Sequence, residues 1–228
     1  MTRVKVCGIN SGAAFDAAVA ACADWIGFVF FPPSPRAVTP AQAAALSARH
    51  PSGPLRVGLF VEPATEQVAE ALGTLKLDVL QLYVAPARAA ELRARFGVPV
   101  WRAVGVRDRA DLPAAAEGID GLVIEPQPPP GATRPGGNAV ALDWSLTAGW
   151  HAPAPWLLAG GLTPGNVGAA IRASGAAAVD VSSGVERARG EKDPTLIRAF
   201  VAAARAASPS SGPPDRGRNC GGVPPPSA

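Results

Sequence analysis

Eight times along this 228-residue chain a short run rich in Val, Ile, Leu and aromatic residues is bounded by turn residues and followed by a polar or Ala-rich connection. The apolar runs cover residues 3–7 (RVKVC), 25–30 (WIGFVF), 55–60 (LRVGLF), 78–82 (DVLQL), 99–104 (PVWRAV), 120–125 (DGLVIE), 155–159 (PWLLA) and 178–182 (AVDVS). Each has the length and composition of a strand. Helical spacing lies between them, at 13–23, 40–49, 64–72, 87–96 and 166–173. Thr39-Pro40 and Thr163-Pro164 each set a capping residue before a Pro suited to the first helical position.

Strand and helix alternating every 20 to 30 residues or so is the pattern of repeated βαβ crossovers, and therefore of a parallel sheet. Eight units predict an α/β chain folded as a single closed (β/α)8 TIM barrel, at the compact end of the usual size range. An open doubly wound sheet is the alternative, but the first run leads into CGINSGAAF rather than GxGxxG, so the dinucleotide fingerprint is missing. Gly and Pro contribute 25 residues each, which without an apolar pattern would suggest disorder; here most of them punctuate strands and helices. Two stretches escape the pattern. Residues 126–137 (PQPPPGATRPGG) are long for a βα loop and are expected to form a lid or a substrate-facing loop. Residues 208–228, dense in Pro, Gly and Ser, read as a disordered tail, so the barrel is expected to occupy residues 1–207.

Charge excludes some classes of function. Lys and Arg number 21 against 18 Asp and Glu, for a net charge of +3, with no basic block or basic-aromatic stripe, so no nucleic-acid partner is expected. Three cysteines, Cys7, Cys22 and Cys220, form an odd set without CxxC or Cys/His spacing. That argues against a disulfide framework and a zinc site, and fits a reducing cytoplasm. No apolar stretch has the length of a membrane span, and neither a signal peptide nor a membrane partner is expected.

A barrel of this kind builds its active site from the loops at the C-terminal ends of its strands. Polar residues at those ends are Lys5 and Cys7 on the first run, Gln81 on the fourth, Arg102 on the fifth, Glu125 on the sixth, and Asp180, Ser182 and Ser183 on the eighth; the second loop adds Arg36. The seventh loop (LAGGLTPGNV) sets Gly160 and Gly161 just ahead of a helix, where bare backbone N–H groups can approach an anion. The eighth (VSSGVE) offers Ser182, Ser183 and Gly184 in the same way. Loops seven and eight are the usual phosphate position in this architecture, so these five residues are the candidate phosphate ligands.

The motifs KVCGI, GFVFFPPSPR, VGLFV, LQLY, LAGGLTPGNV and DVSSGVERARGEKD, in this order, resemble phosphoribosylanthranilate isomerase of tryptophan biosynthesis, over Val4 to about Phe200. The resemblance implies an Amadori rearrangement of N-(5-phosphoribosyl)anthranilate to a carboxyphenylamino-deoxyribulose phosphate, with no metal or organic cofactor and a monomer or homodimer as the working form. It implies Cys7 as general base, Arg36 as the holder of the anthranilate carboxylate, and Asp180 as a residue near the sugar hydroxyls. Two positions depart from the family pattern. The general acid is an Asp in the family and aligns with Glu125, one methylene longer. Tyr83 stands where the family commonly has His; it keeps a hydrogen-bonding tip but titrates near pH 10, so it suits positioning rather than proton transfer. Gly136, Gly137 and Asn138 resemble the family's sixth-loop glycine turn, with Ala139 in place of a further glycine.

Other residues have plainer readings. Asp143 precedes WSLTAG and is expected to cap it; Cys22 lies in an Ala-rich helical run and reads as structural; His50 and His151 lie in Pro-flanked connections and read as surface residues. A related aminoaldose isomerase of histidine biosynthesis is expected to use aspartates at the first and fifth strand ends, which this chain lacks. A phosphosugar-binding barrel that is non-catalytic or of altered specificity is the remaining alternative, raised by Glu125 and Tyr83.

Overall fold

The computed structural model describes residues 1–129, 131 and 142–207. Eight parallel strands close into a barrel in chain order: β1 (Arg3–Cys7), β2 (Trp25–Val29), β3 (Leu55–Val61), β4 (Val79–Tyr83), β5 (Val100–Val106), β6 (Gly121–Pro126), β7 (Trp156–Leu158) and β8 (Ala178–Val181). Each lies on one of the eight apolar runs, within two residues at either end. The seam is shut by β8 pairing with β1, where Lys5 and Asp180 are register partners. The ladder between β7 and β8 is a single pair, Leu158 with Val179, so these two strands are the most loosely joined neighbours.

Among the described residues six α-helices surround the barrel: α1 (Gly12–Ala20), α2 (Pro40–Ser47), α3 (Thr65–Thr74), α4 (Pro86–Phe96), α5 (Val167–Ser174) and α6 (Pro194–Ala206). Their ends follow local chemistry. Thr39 caps α2 in a reciprocal box with Gln42, with Pro40 at the first helical position, as the sequence predicts. Thr163-Pro164 does less than expected: α5 begins at Val167, and Thr163 instead donates its N–H to the Asn166 side chain in the preceding turn. Asp193 caps α6 through Thr195 and Leu196. The expected helix is missing from the crossover after β5. After β5 there is only a 3-10 turn, Arg109–Asp111, because Pro113 follows closely and Glu117 and Gly118 both take positive φ. After β6 the described part holds a 3-10 turn, Trp144–Thr147, capped by Asp143 as expected. Residues 208–228, including Cys220, and sixth-loop residues 130 and 132–141, which hold much of the expected lid or substrate-facing loop and the 136–139 turn, lie outside the described residues. Among the described residues no helix is long and apolar enough to cross a membrane.

The outer core lies between sheet and helices and includes Phe15, Phe28, Phe60, Leu92 and Phe200, all essentially inaccessible to water. A second cluster fills the barrel axis: Trp25, Val57, Val79, Trp101, Val123 and Leu157. At the N-terminal end Trp25 and Trp101 meet edge to face with centroids 5.2 Å apart, and the Arg3 guanidinium caps Trp25 at 3.9 Å. This floor closes the N-terminal end of the barrel axis. Gly121 makes room for it, since a Cβ there would stand 2.6 Å from the Trp101 ring. Gly121→Ala is expected to cost about 1–3 kcal/mol of stability by urea denaturation, the usual range for overpacking a tight interior.

Candidate active site

Alternation along a strand turns every second residue to the barrel axis. On β1 these are Lys5 and Cys7, on β4 Gln81 and Tyr83, on β6 Val123 and Glu125, and on β8 Asp180, with Ser182 just beyond. Cys7 and Tyr83 pack in one cluster with Val29 and Leu59. Lys5, Gln81, Glu125, Asp180 and Cys7 are all buried. Gly27 on β2 creates the space beside them: a Cβ at that position would lie 2.9 Å from the Cys7 sulfur and 3.3 Å from the Lys5 Nζ.

Burial decides the protonation of this group. Lys5 Nζ donates to Asp180 Oδ2 at 2.9 Å. Burial opposes the lysine charge, but Asp180 and Cys7 beside it outweigh that and hold Lys5 above the ordinary lysine range. Burial likewise raises the Cys7 thiol, against the pull of the Lys5 ammonium. Glu125 is pushed up to about 8, chiefly by burial; the Tyr83 hydroxyl, in hydrogen-bonding contact with the carboxyl, offsets part of the rise. Tyr83 itself stays a phenol, since burial and the neighbouring Glu125 move it well above its usual range. The site therefore holds a carboxylic acid that keeps its proton at neutral pH and a thiol next to a cation, the two titratable groups that an acid–base pair requires.

Two buried acceptors have no hydrogen-bond donor among the described residues: Gln81 Oε1 and Asp180 Oδ1. Unsatisfied buried acceptors are costly, and a ligand hydroxyl would satisfy them.

Loops seven and eight meet backbone to backbone. A Cβ on Gly184 would fall 1.8 Å from the Leu162 carbonyl oxygen, so only glycine permits the contact. Gly160 and Gly161 take φ of 88° and 63°, and Ser183–Val185 forms a 3-10 turn whose leading N–H groups, from Ser183 and Gly184, have no intrahelical acceptor. Gly184 thus meets the seventh loop, which also carries Gly160 and Gly161. Ser182 differs: its hydroxyl donates to the Cys7 carbonyl at 3.2 Å and accepts from Lys192 at 3.3 Å, so its side chain is already engaged within the protein.

Arg36 also has a partner that the sequence does not announce. Its Nε and Nη2 donate to Glu186 at 2.6 and 2.9 Å, and both side chains are buried. Lys192 reaches the same carboxylate at 2.6 Å. Burial alone would raise Glu186, but Arg36, Lys192 and the Gly190 N–H hold it at about 2. Glu186 and Lys192 stand on β9 (Glu186–Ala188) and β10 (Glu191–Lys192), an antiparallel hairpin within the GVERARGEKD segment. Neither residue stands out in the sequence; only the tertiary fold shows them enclosed.

One strand-end candidate and the two histidines lie elsewhere. Arg102 lies on the outward face of β5 and pairs with Glu117 at 3.4 Å. His50 is only partly exposed, 2.9 Å from Asp16 and stacked on Phe15, whereas His151 is exposed as expected. Among the described residues no cluster of His, Cys, Asp or Glu could hold a metal.

A family profile described as N-(5'-phosphoribosyl)anthranilate (PRA) isomerase matches residues 4–203. The chain is 58% identical over 209 residues to N-(5'-phosphoribosyl)anthranilate isomerase of Acidiphilium cryptum, covering 91% of this chain and all of that one. Among solved structures, phosphoribosyl anthranilate isomerase of Thermus thermophilus superposes with a TM-score of 0.79 at 30% identity, over 90% of this chain and all of that one. A phosphoribosyl anthranilate isomerase in complex with reduced 1-(o-carboxyphenylamino)-1-deoxyribulose 5-phosphate superposes with a TM-score of 0.74 at 31% identity, again over 90% of this chain and all of the other.

The raised Glu125 couples stability to pH. Its carboxyl titrates near 4.5 when unfolded and at about 8 when folded, so the native state holds the extra proton between those values. Fold stability is expected to fall as pH rises through that window. In Glu125→Gln this fall should be largely absent from denaturation curves measured across the same range.

Proposed function

The chain belongs to the N-(5'-phosphoribosyl)anthranilate isomerase family, and from that premise we propose that Cys7 and Glu125 carry its reaction as base and acid. It is an intramolecular aldose–ketose isomerase of tryptophan biosynthesis, converting N-(5-phosphoribosyl)anthranilate to 1-(2-carboxyphenylamino)-1-deoxyribulose 5-phosphate. The observation that supports the assignment of roles is the Glu125 carboxyl, buried and raised to about 8 in the same mouth as a thiol backed by Lys5.

The steps follow from the protonation states. Glu125 gives its proton to the furanose ring oxygen; the C1′–oxygen bond breaks and the anilino nitrogen lone pair forms the C1′ iminium. The iminium acidifies the C2′ hydrogen, which the Cys7 thiolate removes, and the freed electron pair makes the C1′–C2′ double bond while nitrogen regains its lone pair. Tautomerisation of this enol, with a proton added at C1′, gives the ketose. Lys5 favours the thiolate because its ammonium gains a neighbouring anion.

Binding roles fit the same geometry. The amides of Gly160, Gly161, Ser183 and Gly184, with Ser182 anchoring the loop, take the phosphate. Asp180 Oδ1 and Gln81 Oε1 accept sugar hydroxyls. Tyr83 orients Glu125 and borders the substrate. Arg36 offers the anthranilate carboxylate the guanidinium edge that Glu186 does not occupy. We take residues 1–207 as the catalytic unit, acting on this phosphorylated sugar in the cytoplasm as a monomer or homodimer, without nucleic acid.

Rescue of a tryptophan auxotroph lacking this isomerase, lost on Cys7→Ser, separates turnover from mere binding. The rate profile tests the two roles. The productive form needs Cys7 ionised and Glu125 protonated, the reverse of their order of titration. Below about pH 8, kcat/KM is expected to climb tenfold per pH unit, then level, then fall above the Cys7 value. In Glu125→Gln the rate should drop by at least a hundredfold or so and its fall at high pH should vanish. An unchanged profile would remove Glu125 from the mechanism.

A further inference from the structure

The Arg36–Glu186 pair raises an electrostatic question for the site as assigned. A guanidinium bound on two donors by a buried carboxylate carries little net charge of its own. Glu186 is saturated: Oε1 accepts from Arg36 Nε and Lys192 Nζ, both at 2.6 Å, and Oε2 accepts from Arg36 Nη2 at 2.9 Å and the Gly190 N–H at 3.0 Å. Lys192 is fully enclosed, and its three protons have three acceptors: Glu186 Oε1, the Ser182 carbonyl at 2.9 Å and the Ser182 hydroxyl at 3.3 Å. Two cations and one anion leave the cluster with a single positive charge. Lys192 is the group that provides it.

We propose that Lys192 is a positioning and specificity-determining residue for the isomerase reaction: it supplies the net positive charge of the anthranilate carboxylate pocket and ties the arginine of that pocket to the phosphate loop. The proposal rests on the isomerase reading above. Its mechanical half follows from connectivity. Lys192 holds Ser182, whose hydroxyl in turn holds the Cys7 carbonyl. On its other side Glu186 holds Arg36. The hairpin that carries both residues is pressed onto the second loop, since a Cβ on Gly190 would stand 2.7 Å from the Pro35 carbonyl oxygen, and Asn10 of the first loop donates to the Gly190 carbonyl at 2.9 Å. One buried ammonium therefore spans the ends of the site that meet the phosphate and the aromatic ring.

The test compares binding of two ligands: reduced 1-(o-carboxyphenylamino)-1-deoxyribulose 5-phosphate and its counterpart lacking the ring carboxylate. In Lys192→Met, the dissociation constant of the first is expected to rise about tenfold or more while that of the second changes by about twofold or less, because only the first needs the charge. KM should rise more than kcat falls. Lys192→Gln keeps polar contacts to Ser182 and Glu186 without the charge; it should discriminate in the same sense and serves if the Met variant does not fold. Equal weakening of both ligands would mean that Lys192 only braces the phosphate loop, and no weakening of either would mean that Arg36 suffices; each overturns the proposal. Wild-type protein that binds neither ligand would instead overturn the isomerase reading, and this inference with it.

Discussion

The ion pair between Lys5 and Asp180 is the contact around which the mouth of this barrel is organised. The two residues are register partners across the seam where the eighth strand meets the first, and their side chains join at 2.9 Å inside the barrel. Neither charge could remain there alone, because desolvating an isolated ion costs far more than the fold can supply. Paired, they contribute little net stability, but they fix a cation directly beside Cys7. Cys7, Tyr83 and Glu125 all titrate in the field of this pair.

Two glutamates show how far environment separates identical side chains. Glu125 is buried with only a phenol hydroxyl and the pull of Lys5 to help it ionise, and it sits at about 8. Glu186 is buried among an arginine, a lysine and a backbone N–H, and it sits at about 2. The first is thereby fitted to give up a proton during a reaction, and the second to stay a permanent anion that orients cations. Division of this kind lets one small cavity hold an acid, a base and an anion-binding surface without their charges collapsing onto each other.

The eight strands were legible because apolar runs of strand length separated by Pro and Gly leave few alternatives, and five of the helices followed from spacing and caps. Cys7, Glu125 and the glycines of loops seven and eight could be placed at the mouth because strand ends in a barrel converge, while the roles expected of Cys7 and Glu125 came from the family resemblance. The missing helix after β5 was harder: its Ala-rich stretch has helical composition, and only the nearby Pro113 and the turn at Glu117-Gly118 argued otherwise. Glu186 and Lys192 were invisible as site residues. Charges in a polar, Gly-containing segment are normally solvated, and nothing local tells that a two-strand hairpin folds back onto the second loop and buries them. The same blindness hid the engagement of Ser182 and of Arg36: residue type and position survive in a sequence, but partners 10, 175 or 150 residues away do not.

The central claim is that burial keeps Glu125 protonated at neutral pH, ready to act as the acid. Infrared difference spectroscopy between wild type and Glu125→Gln reads that proton directly, through the carbonyl stretch of a protonated carboxyl. The account predicts that this band is present at neutral pH and bleaches as the carboxyl titrates near 8. A carboxylate band from Glu125 already complete in mildly acidic solution would contradict it.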